Sequence, residues 1–449
     1  MQDKFNHIQK KLALYILVTI LIGSTLLHIY YLIEHPGSNF IKPSKEEIEE
    51  QLKNGEISEQ VAKLKEHTWK YGSRDAYLYT KMANQIIEDG IYGYNTDLKS
   101  NAFVTPGFPM LLVVLFQIAN LLNMEQMTIV KVFNLLLSVG TIWLVYLIAK
   151  NVVKSRWAGV IASGLYATYF TPLHFFRTAL TEITAIFFFC LATYIFIIAI
   201  KTDKKYLHLL FAVIFCYSVM IRPVIAPLVL IGFLIISIKY RSNLKQWLTT
   251  SGIWALGAFI VIGPWVIRNF ILFHEFILFS THSGNSWFAG SNPFNIYDFS
   301  DYFKEQKALG LDSKEYALMK IKEGFQTNFG LWFAWFTVGK TYELFKLPDA
   351  IYFYPASNIT LYFKIVHIII VNTAFVSLFI SMFIRNKSIG AISGIVIMYI
   401  VLSNLFLTIP RYGFFIIPIM CVLNGCVAVT LVKKLMSAVT NSKSNYQIS

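Results

Sequence analysis

The chain has 449 residues, of which 56% are hydrophobic and 14% charged, with a formal net charge of +14. That composition excludes an ordinary soluble domain and points to a single large integral one. The positive excess is not a nucleic-acid footprint, because most of it lies in short loops beside apolar runs, where basic residues set membrane topology.

In chain order the apolar candidates are 12–33, 107–122, 128–149, 157–172, 183–200, 206–221, 223–238, 247–267, 361–384, 388–408 and 412–432. Such runs predict a polytopic all-α membrane protein. The first follows KK, is too long for a signal-peptide core, and lacks a small-residue cleavage site, so it reads as a retained span. Cys190, Cys216, Cys421 and Cys426 lie inside apolar runs without metal-site spacing or a disulfide pattern.

Basic clusters fix the expected sides. Lys4, Lys10 and Lys11, then Lys150, Lys154 and Arg156, then Lys201, Lys204 and Lys205, then Lys239, Arg241 and Lys245, then Arg385 and Lys387, and finally Lys433 and Lys434 are assigned to the cytoplasm. An odd number of crossings must then separate Ile33 from Lys150, yet two candidates lie there, 107–122 and 128–149. The stretch PGFPMLLVVLFQIANLLN opens with two prolines. Its apolar part would be about 24 Å long as a helix, against a core of about 30 Å. It is assigned to a re-entrant or interfacial helix. Eleven candidates less this one leave ten spans, with both termini inside. Residues 1–435 then form one integral domain and 436–449 a polar cytoplasmic tail. The loops 34–127 and 268–360 face outward.

In the first outer loop, SKEEIEEQLKNGEISEQVAKLKEH (44–67) reads as a solvated accessory helix with Ser44 as its N-cap. In YGSRDAYLYTKMANQIIEDGIYGYN, Asp75 begins a second helix that Gly90 can end. Asp75 is there either a first-turn helix acid or a functional carboxylate. Further on, FFRTALTEITAIFFF sets Arg177 and Glu182 between apolar runs, with the intervening turn at the outer rim. Arg222 stands where Pro223 breaks one span from the next. Arg268 and Asn269 end a span in GPWVIRNFILF, and Arg411 and Tyr412 do the same in TIPRYGFF. Taken singly, each is a snorkelling rim residue. Together, four arginines and two carboxylates on the face disfavoured for cations suit a rim pocket for an anionic lipid headgroup, with a carboxylate as general base. In the loop 268–360, HSGNSWFAGSNPFNIYDFSDYF offers hydroxyl partners and ring faces or simple turns. FGLWFAWFTVGKTYELF reads as an interfacial aromatic helix.

With these words in order, RDAYLYTKMANQIIEDGIYGYN, TPGFPMLL, RTALTE, IRP, GPWVIRN, WFAGSNP and IPRY, the chain resembles the GT-C superfamily of lipid-linked sugar transferases over roughly residues 12–415. It looks closest to protein O-mannosyltransferases and aminoarabinose transferases. The resemblance implies a GT-C fold and inverting transfer of a sugar from a polyprenyl-phosphate donor in the membrane lipid to an acceptor glycan, lipid or protein. It implies Asp75 as the base for the acceptor hydroxyl, and Glu182 to position the acceptor, tune Asp75 or hold a cation. Arg222, Arg268 and Arg411 become the phosphate ligands, with Arg177, Arg74, Asn269 and Tyr412 as further substrate-binding candidates. Two departures stand out: the 44–67 insert, and Thr-Glu where an acid pair is expected. No cofactor is assigned with certainty. A divalent cation would take Glu182 and His174, with His282 as a further ligand. The sequence leaves two other readings open, a flippase for lipid-linked sugars and an outer-face polysaccharide polymerase or ligase. A transporter would place its ionisable residues near the midplane and often shows internal repeats, neither of which is seen here.

The topology is directly testable. An Asn123→Cys protein should react with an impermeant thiol reagent added outside intact cells. Reaction only after the cytoplasm is opened would overturn the span count.

Overall fold

The computed structural model describes residues 2–34, 45–55, 58–59, 62, 71–96, 98–281, 283–349 and 358–446. Among them there is no strand. Ser44 and His282 lie outside the described residues.

Seven helices are long and apolar enough to cross a membrane: Ile8–Glu34, Gln126–Val153, Thr181–Thr202, Leu244–Phe273, Thr360–Ser381, Lys387–Asn404 and Pro410–Ala438. Gly107–Leu121, Lys205–Ile221 and Pro223–Lys239 are shorter apolar helices. The core is built around the last long helix, whose residues Phe414 to Val427 are almost completely buried. It packs against Arg156–Ala167, Gln126–Val153 and Asn358–Ser381. All four cysteines are buried and free.

Three elements differ from their sequence-derived limits. The expected span 157–172 is a helix only over Arg156–Ala167, about 18 Å at 1.5 Å per residue. A short turn of helix, Pro172–Phe175, follows, and residues 171–186 are buried throughout. Arg177 and Glu182 are therefore enclosed rather than placed at a solvated rim; both are 0% exposed. Irregular backbone at this depth is tolerable only inside protein, where its polar groups find partners. Asn134 supplies two of them, donating through Nδ2 to the carbonyls of Phe176 at 3.1 Å and Thr178 at 3.0 Å. Second, Leu244–Phe273 runs past Arg268 and Asn269, with Pro264 inside it, so these two residues sit within a helix instead of ending one. Third, the C-terminal helix continues to Tyr446, through the stretch read as a tail.

The helix Arg74–Asp89 begins and ends as its sequence indicates. Ser73 Oγ accepts from the Ala76 amide, and Gly90 closes the helix at φ +70°. It is pinned to Gln126–Val153 by reciprocal amide bonds: Gln126 Nε2 donates to Asn84 Oδ1 at 2.8 Å, and Asn84 Nδ2 donates to Gln126 Oε1 at 3.3 Å. Gly107–Leu121 lies against Lys205–Ile221, where Tyr217 Oη donates to the Gly107 carbonyl at 3.1 Å.

The described residues between Phe273 and Asn358 include the short helices Ser283–Gly290, Phe299–Leu309, Ser313–Thr327, Phe329–Ala334 and Lys340–Phe345. The expected aromatic helix 329–345 forms with a π turn at Trp335–Gly339. Its end presses on the turn Pro410–Gly413: a Cβ at Gly413 would lie 2.0 Å from the Leu344 carbonyl oxygen. Lys340 Nζ donates to Phe406 O at 2.9 Å and Asn404 Nδ2 to Thr341 Oγ1 at 2.8 Å, fastening the same junction.

Gly413→Ala should therefore destabilise the protein by about 1–3 kcal/mol through overpacking, read as a lowered melting temperature. Gly390→Ala, where a Cβ meets nothing within 4 Å, is the control and should not lower it.

Candidate functional site

Four helix ends meet at one point, and each delivers a charge. Asp75 stands in the first turn of Arg74–Asp89 and Glu182 in the first turn of Thr181–Thr202. Helix N-termini favour carboxylates there. Arg222 is the C-cap of Lys205–Ile221, its amide bonded to Ser218 O, and Pro223 turns the chain immediately after it. Arg411 follows Pro410 in the turn Pro410–Gly413.

Arg411 joins the group. Its Nε donates to Glu182 Oε1 at 2.5 Å and its Nη1 to Asp75 Oδ2 at 3.1 Å. Arg222 Nη2 reaches the same Glu182 Oε1 at 3.5 Å. The Arg222 guanidinium lies over the Tyr412 ring at 5.1 Å and the Phe415 ring at 5.9 Å, an arrangement that holds its plane. On the far side, Tyr94 Oη donates to Asp75 Oδ1 at 3.5 Å. Tyr79 packs against Tyr94 and Phe108. Glu182 Oε2 and Arg222 Nη1 are buried with no hydrogen-bond partner among the described residues. A buried acceptor or donor without a partner is costly.

The other sequence candidates go elsewhere. Arg268 Nη1 donates to the Asn101 carbonyl at 3.1 Å and to Asn269 Oδ1 at 2.8 Å, and its Nη2 to the Tyr92 carbonyl at 3.4 Å. Its guanidinium is surrounded by the rings of Tyr92, Trp265 and Phe273. Asn269 Nδ2 donates to Ile277 O at 3.2 Å. This pair splints the 92–101 turn to the long helix and leaves few donors for a phosphate. Arg177 is buried in the 171–180 stretch, and Arg74 is exposed at the helix start. Burial, reinforced by Arg177 and Arg411, lowers the His174 pKa to about 3, so its imidazole is neutral.

The same cluster answers the metal question on chemical grounds. Glu182 Oε1 and Asp75 Oδ2 are already paired with guanidinium groups, and a dication beside them would face two fixed positive charges. Among the described residues no three His, Cys, Asp or Glu side chains gather to hold a metal. The two arginines disfavour a divalent cation at Glu182 Oε1 and Asp75 Oδ2.

Asp349 was not singled out from the sequence; in KLPDA nothing marks it. It follows Lys340–Phe345, the element pressed on the Arg411 turn, and it senses Arg411, Glu182 and Arg222 electrostatically. Burial raises its pKa to about 6, the arginines only partly offsetting this. A carboxyl whose folded pKa exceeds its unfolded value of 3.8 contributes stability that is complete below 3.8 and is lost as pH rises through about 6. Asp349→Asn removes that loss. The variant should gain melting temperature relative to the parent as pH goes from 4 to 7.5; a pH-independent difference between the two would remove the assignment.

The sequence profile of the dolichyl-phosphate-mannose-protein mannosyltransferase family matches residues 106–267. That stretch holds Arg177, Glu182 and Arg222 but not Asp75 or Arg411. No curated protein matches the chain. Among solved structures it is similar to the oligosaccharyltransferase of Archaeoglobus fulgidus. The form tethered by a disulfide bond to an acceptor peptide with the NVT sequon aligns with TM-score 0.53 and 14% identity, over 94% of this chain and 50% of that one. The apo form gives TM-score 0.53 and 14% identity, over 95% and 52%. The chain thus spans about half the length of these relatives. At such identity the likeness is one of fold, and it agrees with the helical order and the family profile. The chain is a multi-pass membrane protein built on the GT-C fold.

Proposed function

We propose that the protein is a glycosyltransferase that moves a sugar from a polyprenyl-phosphate carrier to an acceptor hydroxyl on the outer face of the membrane. The observation that carries this reading is Arg411 bridging Glu182 and Asp75, with Arg222 on the same Glu182 oxygen. The profile of dolichyl-phosphate-mannose-protein mannosyltransferases supports a lipid-phosphate donor.

In this reading the acceptor oxygen attacks the anomeric carbon as the bond from that carbon to the phosphate oxygen breaks. The acceptor proton passes to Asp75, and the lipid phosphate leaves with the bonding electrons. Attack from the face opposite the phosphate inverts the anomeric centre. Arg222 and Arg411 stabilise the departing phosphate, the contribution expected to be largest. Glu182 holds both guanidinium groups at that spacing. Arriving phosphate competes for Arg411 and frees the Asp75 carboxylate to meet the acceptor hydroxyl. The basic clusters in the loops support a plasma-membrane topology with both termini cytoplasmic.

Asp75→Asn should cut loss of sugar from a purified polyprenyl-phosphate donor by about 10²–10⁴-fold, with donor affinity undiminished. Arg411→Lys, which keeps the charge and loses the fork, should weaken donor binding. Full transfer by the Asp75→Asn protein would end the base assignment, and unchanged donor affinity in Arg411→Lys would end the phosphate role.

A further inference from the structure

Between Tyr297 and Trp332 lies a second cavity, of about 360 Å³, whose lining includes none of Asp75, Glu182, Arg222 or Arg411. Its volume falls in the range of small-ligand sites, roughly 300–1,000 Å³. Three capped helices wall it. Asp298 caps Phe299–Leu309, a reciprocal Asp312–Glu315 capping box starts Ser313–Thr327, and Asn328 caps Phe329–Ala334. The cavity is thus framed by fixed elements rather than by a loose loop.

Its chemistry has two parts. The apolar part is aromatic. Tyr297 and Tyr302 stack at 5.7 Å and 24°, and Tyr297 is 47% exposed. Trp332 is seated on Gly324, where a Cβ would come within 1.9 Å of the indole. The polar part is a charge-linked network. Lys320 Nζ donates to Glu305 Oε1 at 2.7 Å and lies 3.7 Å from Glu323 Oε2, and Tyr316 Oη donates to Glu305 Oε2 at 2.7 Å.

These features select among ligand classes. Four lining carboxylates against one lysine disfavour a phosphate or any anionic headgroup. A bare metal ion is disfavoured too, because the ammonium of Lys320 already sits between Glu305 and Glu323. What remains is a neutral molecule with an apolar face and several hydroxyl groups. Its C–H face can rest on the exposed Tyr297 ring. Its hydroxyls can donate to carboxylate lone pairs already held in place and accept from Lys320. We infer that this cavity is a binding cleft for a neutral saccharide, separate from the acid–arginine cluster. The inference does not rest on the transferase reading, since the cleft is argued from its own walls.

The test uses the full-length protein in lipid nanodiscs and ligand-observed saturation-transfer NMR, with calorimetry for affinity. The probes are a β-1,4-linked glucose tetrasaccharide, a β-1,4-linked N-acetylglucosamine tetrasaccharide, an α-linked mannose tetrasaccharide and, as the cationic alternative, spermidine. At least one tetrasaccharide should bind. Its affinity should fall about ten-fold or more in Tyr297→Ala, which removes an exposed stacking face, and several-fold in Glu323→Gln. Glu323 is largely exposed, so that variant should fold even where the aromatic one does not. Binding should persist in Asp75→Asn, which separates this site from the proposed reaction. No binding by any tetrasaccharide, binding of spermidine alone, or saccharide affinity unchanged in Glu323→Gln would each overturn the inference.

Discussion

The half-buried guanidinium of Arg411 is the constraint on which the site depends. Glu182 has no exposed surface, and an uncompensated carboxylate at that depth would be neutralised or expelled. Arg411 and Arg222 make its charge tolerable, and Glu182 in turn fixes both arginines. Removing one partner from such a set leaves the other stranded, at a cost of about 3–5 kcal/mol. The cluster is therefore structural and chemical together: the contacts that make it stable also aim two guanidinium groups at one place.

The rest of the fold serves that placement. Each of the four charged residues is at a helix end or a proline turn, where the backbone can stop and the side chain project inward. The irregular 171–180 stretch would be ruinous against lipid, but Asn134 and the surrounding helices take up its polar groups. The junction of Leu344 with Gly413 sets the height of the Arg411 turn, and Lys340 secures the same element to Phe406. The segment between Phe273 and Asn358 thereby does two things. It braces Arg411 from one end and builds a separate aromatic cleft from its other helices.

Much of this is legible in the sequence. Apolar runs mark the long helices because a span must satisfy every backbone group internally, and that demand writes length and hydropathy into the chain. Ser73, Asp75 and Gly90 mark a helix by local rules of capping and left-handed termination, which need no tertiary information. Glu182, Arg222 and Arg411 stand out as ions beside apolar runs, where burial of unpaired charge is costly, and Asp75 stands out as a first-turn helix acid in an outer loop. What the sequence by itself determined was the set of helices and the short list of charges that must find partners.

Only the tertiary structure decided which charges those partners are. Arg268 and Arg411 look alike in sequence, each at the end of an apolar run; one is consumed by the carbonyls of Tyr92 and Asn101, the other by two carboxylates. Arg177 is enclosed because 157–172 stops being helical at Ala167, which no periodicity announces. Asp349 acquires its raised pKa from burial, which only the folded chain imposes. Pairing energy depends on separations of a few ångströms between residues hundreds of positions apart, and local sequence carries no record of those distances.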